Sequence, residues 1–235
     1  MQTDAAKLKE QAQTFYFVLA SIFIASLVGC NLIFQKFFFW APLEAFGIDY
    51  VFEISVGLIP YPITFLITDL ISELYGKKKA NQVVVAGLVA SVFVLGIVVI
   101  ANAVPATSWS PVDDETFSKV FGLTGVAVFA SMVAYLLAQF IDIKLFHFWK
   151  KKTKGKNLWL RNNFSTIPSQ FLDTAMVLGL LCYFGAIPWD NFGILFINGF
   201  AYKVIIALLD TPLFYFFTGW GKKHFGLAID EELTY

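Results

Sequence analysis

Residues 81–104 carry no Asp, Glu, Lys or Arg, and Val, Ile, Leu and Ala make up most of the run. A charge-free apolar segment of that length crosses a lipid bilayer as a helix. Residues 14–34 form a second such run. Only 14% of the 235 residues are charged, whereas about 25% is usual for a soluble domain, and 58% are hydrophobic. The chain is therefore read as a membrane protein. Phe, with 27 copies, fits a lipid-facing surface and identifies nothing further.

The remaining spans follow in order. Residues 36–50 are an aromatic connection with Pro and Gly, in which Trp40 and Tyr50 suit the headgroup level. A helix over about 51–75 contains Pro60 and Pro62, and the two missing donors predict a kink or break near 59–63. Residues 105–119 read as a loop bearing Asp113, Asp114 and Glu115, and 150–161 as a basic loop. Between them lies a helix over about 120–148. A fifth helix opens near Ser165 and Pro168, since Ser or Thr followed by Pro is a common helix start. A sixth runs over about 192–217. The expectation is an all-α membrane protein. It is a single transmembrane domain over 1–235, with six helices at about 14–34, 51–75, 81–104, 120–148, 166–187 and 192–217.

Fourteen of the 17 basic residues fall in the N-terminal stretch, the 77–79 turn, the 144–161 region and the tail. By the positive-inside rule both termini are cytoplasmic. Leu27-Val28-Gly29-Cys30 resembles a lipoprotein cleavage box, but the apolar run continues past Cys30 and more spans follow. Cys30 and Cys182 offer neither a disulfide framework nor a metal site. Leu172-Asp173-Thr174 recurs as Leu209-Asp210-Thr211, too short an echo to establish a repeat.

The polar residues inside the spans carry the functional signal. Asp69 and Glu73 are four apart, so a helix stacks them on one face, where like charges repel. One of them is expected to be neutralised or to find a partner. Counting about 1.5 Å per residue brings Asp69, Glu73, Asp142, Asp173 and Asp210 into the cytoplasmic half, with Lys203 and Arg161 as cations. Helix-end charges that snorkel account for such residues near a surface. Mid-span charges such as Asp173, Asp210 and Lys203 normally face an interior and mark a substrate or ion path. Lys203 is expected to stay charged, paired with Asp210 or Asp173. Tyr135, Gln139 and Asp142 share one helix face. No nucleophile elbow, zinc-protease motif or phosphate-binding loop is present. An intramembrane aspartyl hydrolase built on Asp173 and Asp210 would need the two to face each other without Lys203 between them.

Two stretches resemble the queuosine precursor transporters, a vitamin-uptake-like membrane family. One is Pro62-Ile63-Thr64-Phe65-Leu66-Ile67-Thr68-Asp69 through Glu73-Leu74-Tyr75-Gly76. The other is Trp159-Leu160-Arg161-Asn162-Asn163-Phe164-Ser165-Thr166 through Gln170-Phe171-Leu172-Asp173-Thr174. Weaker parts are Asn31 with Lys36, and Lys203 through Thr211-Pro212. The resemblance implies a six-helix protein of the bacterial inner membrane. Its cargo would be 7-deazaguanine bases, such as preQ0, preQ1 or queuine, for tRNA modification. Such a base presents an N–H and an exocyclic amine to a carboxylate, and a carbonyl oxygen to a donor. The expected substrate-binding set is Asn31, Asp69, Glu73, Gln170, Asp173, Asn198 and Lys203. Lys36, Gln139, Asp142, Arg161 and Asp210 are the expected supporting and ion-pairing residues. No cofactor and no catalysis are expected. The expected partners are the nucleobase and membrane lipid, with a second copy of the chain optional and no direct nucleic acid. The alternative is a substrate-capturing subunit that depends on a separate ATPase.

Overall fold

The computed structural model describes residues 2–44, 47–121, 124–185, 187–228 and 231–233. In chain order the elements are α1 (Gln2–Ile33), β1 (Phe37–Trp40), β2 (Phe52–Ser55), α2 (Tyr61–Ala103), α3 (Asp114–Phe121), α4 (Thr124–Lys152), α5 (Leu158–Tyr183) and α6 (Phe192–Phe225). Short 3-10 turns occupy Val56–Leu58 and Trp189–Asn191. The fold is helical apart from the small sheet. Among the described residues four stretches, Ala6–Ile33, Val56–Ala103, Val128–Lys152 and Trp189–Phe225, are long and apolar enough to cross a membrane.

The first departure from the sequence reading lies at 51–60. Phe52-Glu53-Ile54-Ser55 alternates buried and exposed side chains and pairs antiparallel with Phe37–Trp40, with Phe38 opposite Ile54. Phe52 and Ile54 pack on Tyr202 of α6, whose ring meets Trp40 edge-on at 5.0 Å. Ser55 caps the turn that follows, accepting from Gly57 N at 3.1 Å, and its hydroxyl donates to the Phe34 carbonyl. Pro60 and Pro62 then flank the first residue of α2. In the first turn of a helix a missing N–H leaves no bond unmade, so the prolines start the helix instead of kinking it.

A second departure is Gly76. Its φ of 79° and ψ of 171° interrupt α2, which is two helices joined at one residue. That backbone region is essentially restricted to glycine. The arms 61–75 and 77–103 run in opposite directions. Tyr75 donates to the Ala12 carbonyl (2.8 Å) and Tyr16 to the Lys79 carbonyl (3.3 Å), which brings both sides of the hinge to one level of α1. The second arm then climbs α1 until Gly87 reaches Phe23 and Leu27, where a Cβ would lie 2.7 Å from the Phe23 ring. Small residues permit such close helix approach. Residues 77–79 belong to the helix and form no loop of their own.

Two further elements are longer or more regular than expected. Asp113 accepts the Thr116 N–H at 2.8 Å, and Asp114 and Glu115 occupy the first turn of α3, so the acidic loop is a capped helix. α5 begins at Leu158 and runs through Pro168, which places Arg161 inside a helix. The basic loop shrinks to 153–157, where Lys154, Gly155 and Asn157 adopt positive φ. Around Pro168, hydroxyls attach to the backbone: Ser169 donates to the Thr166 carbonyl (2.8 Å) and Ser165 to that of Asn162 (3.1 Å).

Polarity is inverted relative to a soluble protein. Asp69, Glu73, Gln139 and Asp142 are wholly buried, while Phe17, Val89, Phe93, Ile100, Leu209 and Phe216 lie on the surface. The main apolar core, with Phe23, Leu70, Ile71, Phe146 and Phe214 among its most buried members, joins α1, α2, α4 and α6. Lys150, Lys151, Lys152, Lys222 and Lys223 close the last turns of α4 and α6, where the helix dipole favours cations. These turns share one end of the bundle with Gly76, and the strand pair lies at the other.

Candidate functional site

A cavity of about 960 Å³ opens between α1, the strand pair, both arms of α2, α4, α5 and α6, toward the strand end. Ligand pockets are typically about 300–1,000 Å³, mostly apolar with a few placed polar groups, and this one has that make-up. Leu27, Val84, Met132, Leu136 and Val177 supply apolar wall, and the Tyr61 and Tyr135 rings meet edge-on at 5.6 Å.

Its polar centre is an ion pair between neighbouring helices. Lys203 Nζ on α6 lies 2.6 Å from Asp173 Oδ2 on α5, and both side chains are buried. Tyr61 OH donates to the same oxygen at 2.7 Å, and Lys203 donates to Thr174 Oγ1 at 3.1 Å. The ammonium also lies 4.5 Å from the centre of the Tyr61 ring. Asp173 Oδ1 accepts from none of the described residues, so one strong acceptor remains beside a held cation. Of the two partners expected for Lys203, Asp173 is the one used. Asp210 is partly buried further along α6 and enters none of the ion pairs among the described residues. The hydrolase arrangement therefore does not form.

Asp69 and Glu73, adjacent on one helix face, serve different neighbourhoods. Glu73 is gripped at the basic end by Arg161 of α5 (2.7 and 3.3 Å), Lys222 of α6 (2.5 Å) and Lys150 of α4 (3.7 Å). Lys150 also pairs with Glu232 at 2.8 Å, and Leu233 N donates to the Leu74 carbonyl at 2.8 Å. Four helices and the tail are thereby tied at one carboxylate. Asp69 instead lies beside Asp142 of α4, the two carboxyls within hydrogen-bonding reach. The single Ser169 hydroxyl proton is shared between the Thr166 carbonyl and Asp142 Oδ1, the latter at 3.1 Å. Gln139 donates to Tyr135 OH at 2.8 Å and accepts from Thr68 at 3.1 Å.

The cavity thus takes in Asn31, Asp173 and Lys203 of the expected binding set, while Asp69, Glu73, Gln170 and Asn198 are buried outside its lining. Asn198 accepts from Tyr50 OH at 2.6 Å, and Gln170 Oε1 has no donor among the described residues. Lys36 is exposed and forms no ion pair among the described residues, although its carbonyl accepts from Val56. Tyr61 and Thr174 belong to the polar centre without having been singled out for it. For Tyr61 the available signal was its position between two prolines, which starts a helix with that ring at the cavity.

Residues 55–217 match the family profile described as "Putative vitamin uptake transporter". A protein of Bacillus subtilis (strain 168) named "Probable queuosine precursor transporter" is 27% identical over 177 residues, covering 74% of this chain and 73% of that protein. No solved structure matches the chain.

Proposed function

This chain belongs to the putative vitamin uptake transporter family, a family of membrane transporters and not of enzymes, and from that premise we propose that it imports a 7-deazaguanine precursor of queuosine. The observation that carries the reading is the Asp173–Lys203 pair on the cavity wall. Asp173 Oδ1 would accept from the base's N–H and amine edge, Lys203 and Thr174 would answer its carbonyl oxygen, and Tyr61 and Tyr135 would flank the flat ring. Asn31 would contribute an amide from the α1 wall. The name of the Bacillus relative points to the same cargo.

The topology in this reading is six crossings: α1, the two arms of α2, α4, α5 and α6. Doubling back at Gly76 makes two crossings of one long stretch, and α5, at 26 residues, spans about 39 Å. The basic end, and with it both termini, faces the cytoplasm of a bacterial inner membrane, so the cavity opens outward.

The test is uptake of a labelled deazaguanine base by proteoliposomes that contain the chain alone. Saturable uptake, competed by unlabelled base and weakened about 10–100-fold in Asp173→Asn, is the expected result, since one hydrogen bond to a charged group is worth about 1.5–3 kcal/mol. Wild-type uptake by a folded Asp173→Asn would remove this residue from the site. Tight binding with no uptake would convert the importer into a capture subunit that needs an ATPase.

A further inference from the structure

We propose that Asp69 and Asp142 form a proton-binding site that shares one proton between α2 and α4, and that release of this proton toward the basic end couples transport to proton entry. The second half rests on the transporter reading above; the first does not.

Asp69 and Asp142 are both 0% exposed, their carboxyl groups are within hydrogen-bonding reach, and they come from different helices. Among the described residues no N–H or O–H donates to either Asp69 oxygen or to Asp142 Oδ2. Two ionised carboxylates in that position would be adjacent acceptors with no donor between them. One proton turns one of the pair into a donor and makes a charge-assisted O–H···O⁻ bond. Two acids that cannot both ionise and hold a single proton between them are an established physical pattern. Proton exchange here requires no other reactant: a carboxylate oxygen gains H⁺ from water on one side and yields it on the other.

The charged and polar groups facing the pair do not supply the missing donor. From α5, Ser169 reaches Asp142 Oδ1 only, and the nearby Ser165 and Thr166 hydroxyls also lie on the Asp142 side. Arg161, whose charge acts on Asp69, spends two nitrogens on Glu73, and its Nε makes no hydrogen bond to Asp69 or to any other described residue. Glu73, from the same arm of α2 as Asp69, adds negative charge and is itself held by Lys150 and Lys222. Among the described residues no three His, Cys, Asp or Glu side chains gather to hold a metal ion.

Location gives the site its purpose. Tyr135 lines the cavity, Gln139 donates to it, and Asp142 continues the same face of α4 one turn on. On the other side, Asp69 is one turn of α2 from Glu73 and the basic end. The pair therefore stands between the cavity and the charge cluster that ties the helices at the basic end. With the proton bound, α2 and α4 are bonded there. Without it, two like charges face each other and drive the helices apart.

Infrared difference spectroscopy of the purified full chain, titrated with pH, tests the site without cargo. A buried carboxylic-acid C=O band that shifts with ¹³C-aspartate labelling is expected, and it disappears in both Asp69→Asn and Asp142→Asn. Absence of the band in labelled wild type, which needs no variant to fold, overturns the site. A second arm uses proteoliposomes and labelled deazaguanine. An inward pH gradient should drive accumulation of up to about tenfold per pH unit for one proton per substrate. Both Asn variants should lose that accumulation, and Glu at either position should restore part of it. Accumulation driven by a sodium gradient at equal pH, or none under a pH gradient despite saturable exchange, overturns the coupling. A chain that carries no deazaguanine under any condition refutes the cargo and leaves the infrared result to decide the proton site.

Discussion

Replacing Gly76 by alanine attacks the hinge that makes two arms of α2. At φ 79° and ψ 171° the residue occupies a region that costs a non-glycine residue about 1–3 kcal/mol. An added Cβ also collides with the Glu232 carboxylate, which would have to leave its 2.8 Å pair with Lys150. Glu232 is partly exposed, so that pair contributes at most about 1 kcal/mol after solvent screening. Gly76→Ala should therefore destabilise by about 1–4 kcal/mol, measured by equilibrium unfolding in mixed detergent micelles. Gly179→Ala is the control, because its Cβ meets nothing within 4 Å and its φ is ordinary. A helix-interior exchange of that kind should be neutral or stabilise by up to about 1 kcal/mol. On a Glu232→Ala background, which has neither the pair nor the collision, Gly76→Ala should cost the backbone term alone. If Gly76→Ala unfolds with the wild type, residues 61–103 are not hinged at this glycine and the two-arm description of α2 fails.

Three other outcomes follow from the same geometry. Lys203→Met strands Asp173 and should cost about 3–5 kcal/mol, most of it recovered by a second change, Asp173→Asn; strictly additive effects in the cycle would dissolve the pair. Hydrogen bonds from Thr116, by side chain and then backbone, hold the Asp113 carboxyl below the usual carboxylate range. The cap is then fully present above the ordinary value near ~3.9 and lost as pH falls through the lower folded value. Amide protection over 114–121 should drop only under strong acid and lose its pH dependence in Asp113→Asn; identical profiles would refute it. Reporter fusions after Lys79 and Lys156 should read cytoplasmic and those near Asp114 and Trp189 external, and a cytoplasmic signal near Asp114 would end the six-crossing topology.

What could be read from the residues, and what could not, divides along a physical line. The charge-free runs at 14–34 and 81–104 announce helices because lipid demands internally bonded backbone and nothing tertiary has to be known. Asp173 and Lys203 stood out because charges at mid-span are costly wherever they point. Depth along a helix was legible from the rise per residue, but rotation about its axis was not. So Asp69 and Glu73 could be placed in one half of the bundle, yet their assignment to Asp142 and to Arg161 depended on how α4 and α5 are turned. Pro60 and Pro62 read as a kink or break inside a helix over about 51–75, whereas the strand at 52–55, packed on Tyr202, leaves them to start the helix. Likewise Pro168 resembles a helix opening, whereas hydroxyls on either side let α5 continue through it.

The first arm of α2 is 15 residues long, about 22 Å, and holds Asp69, Glu73, Thr64, Thr68 and Ser72. It is shorter than a bilayer's hydrocarbon core and too polar to partition into lipid by itself. The second arm, with no charge over 81–104, partitions readily. In the six-crossing topology proposed above, a single glycine between them would let the pair enter the membrane as one helical hairpin, the greasy arm carrying the polar one. Gly76 would then act during biogenesis as a coupling between a segment the insertion machinery accepts and one it would reject. Lengthening that joint with a flexible linker would leave the finished contacts available and still strand the polar arm in the aqueous phase.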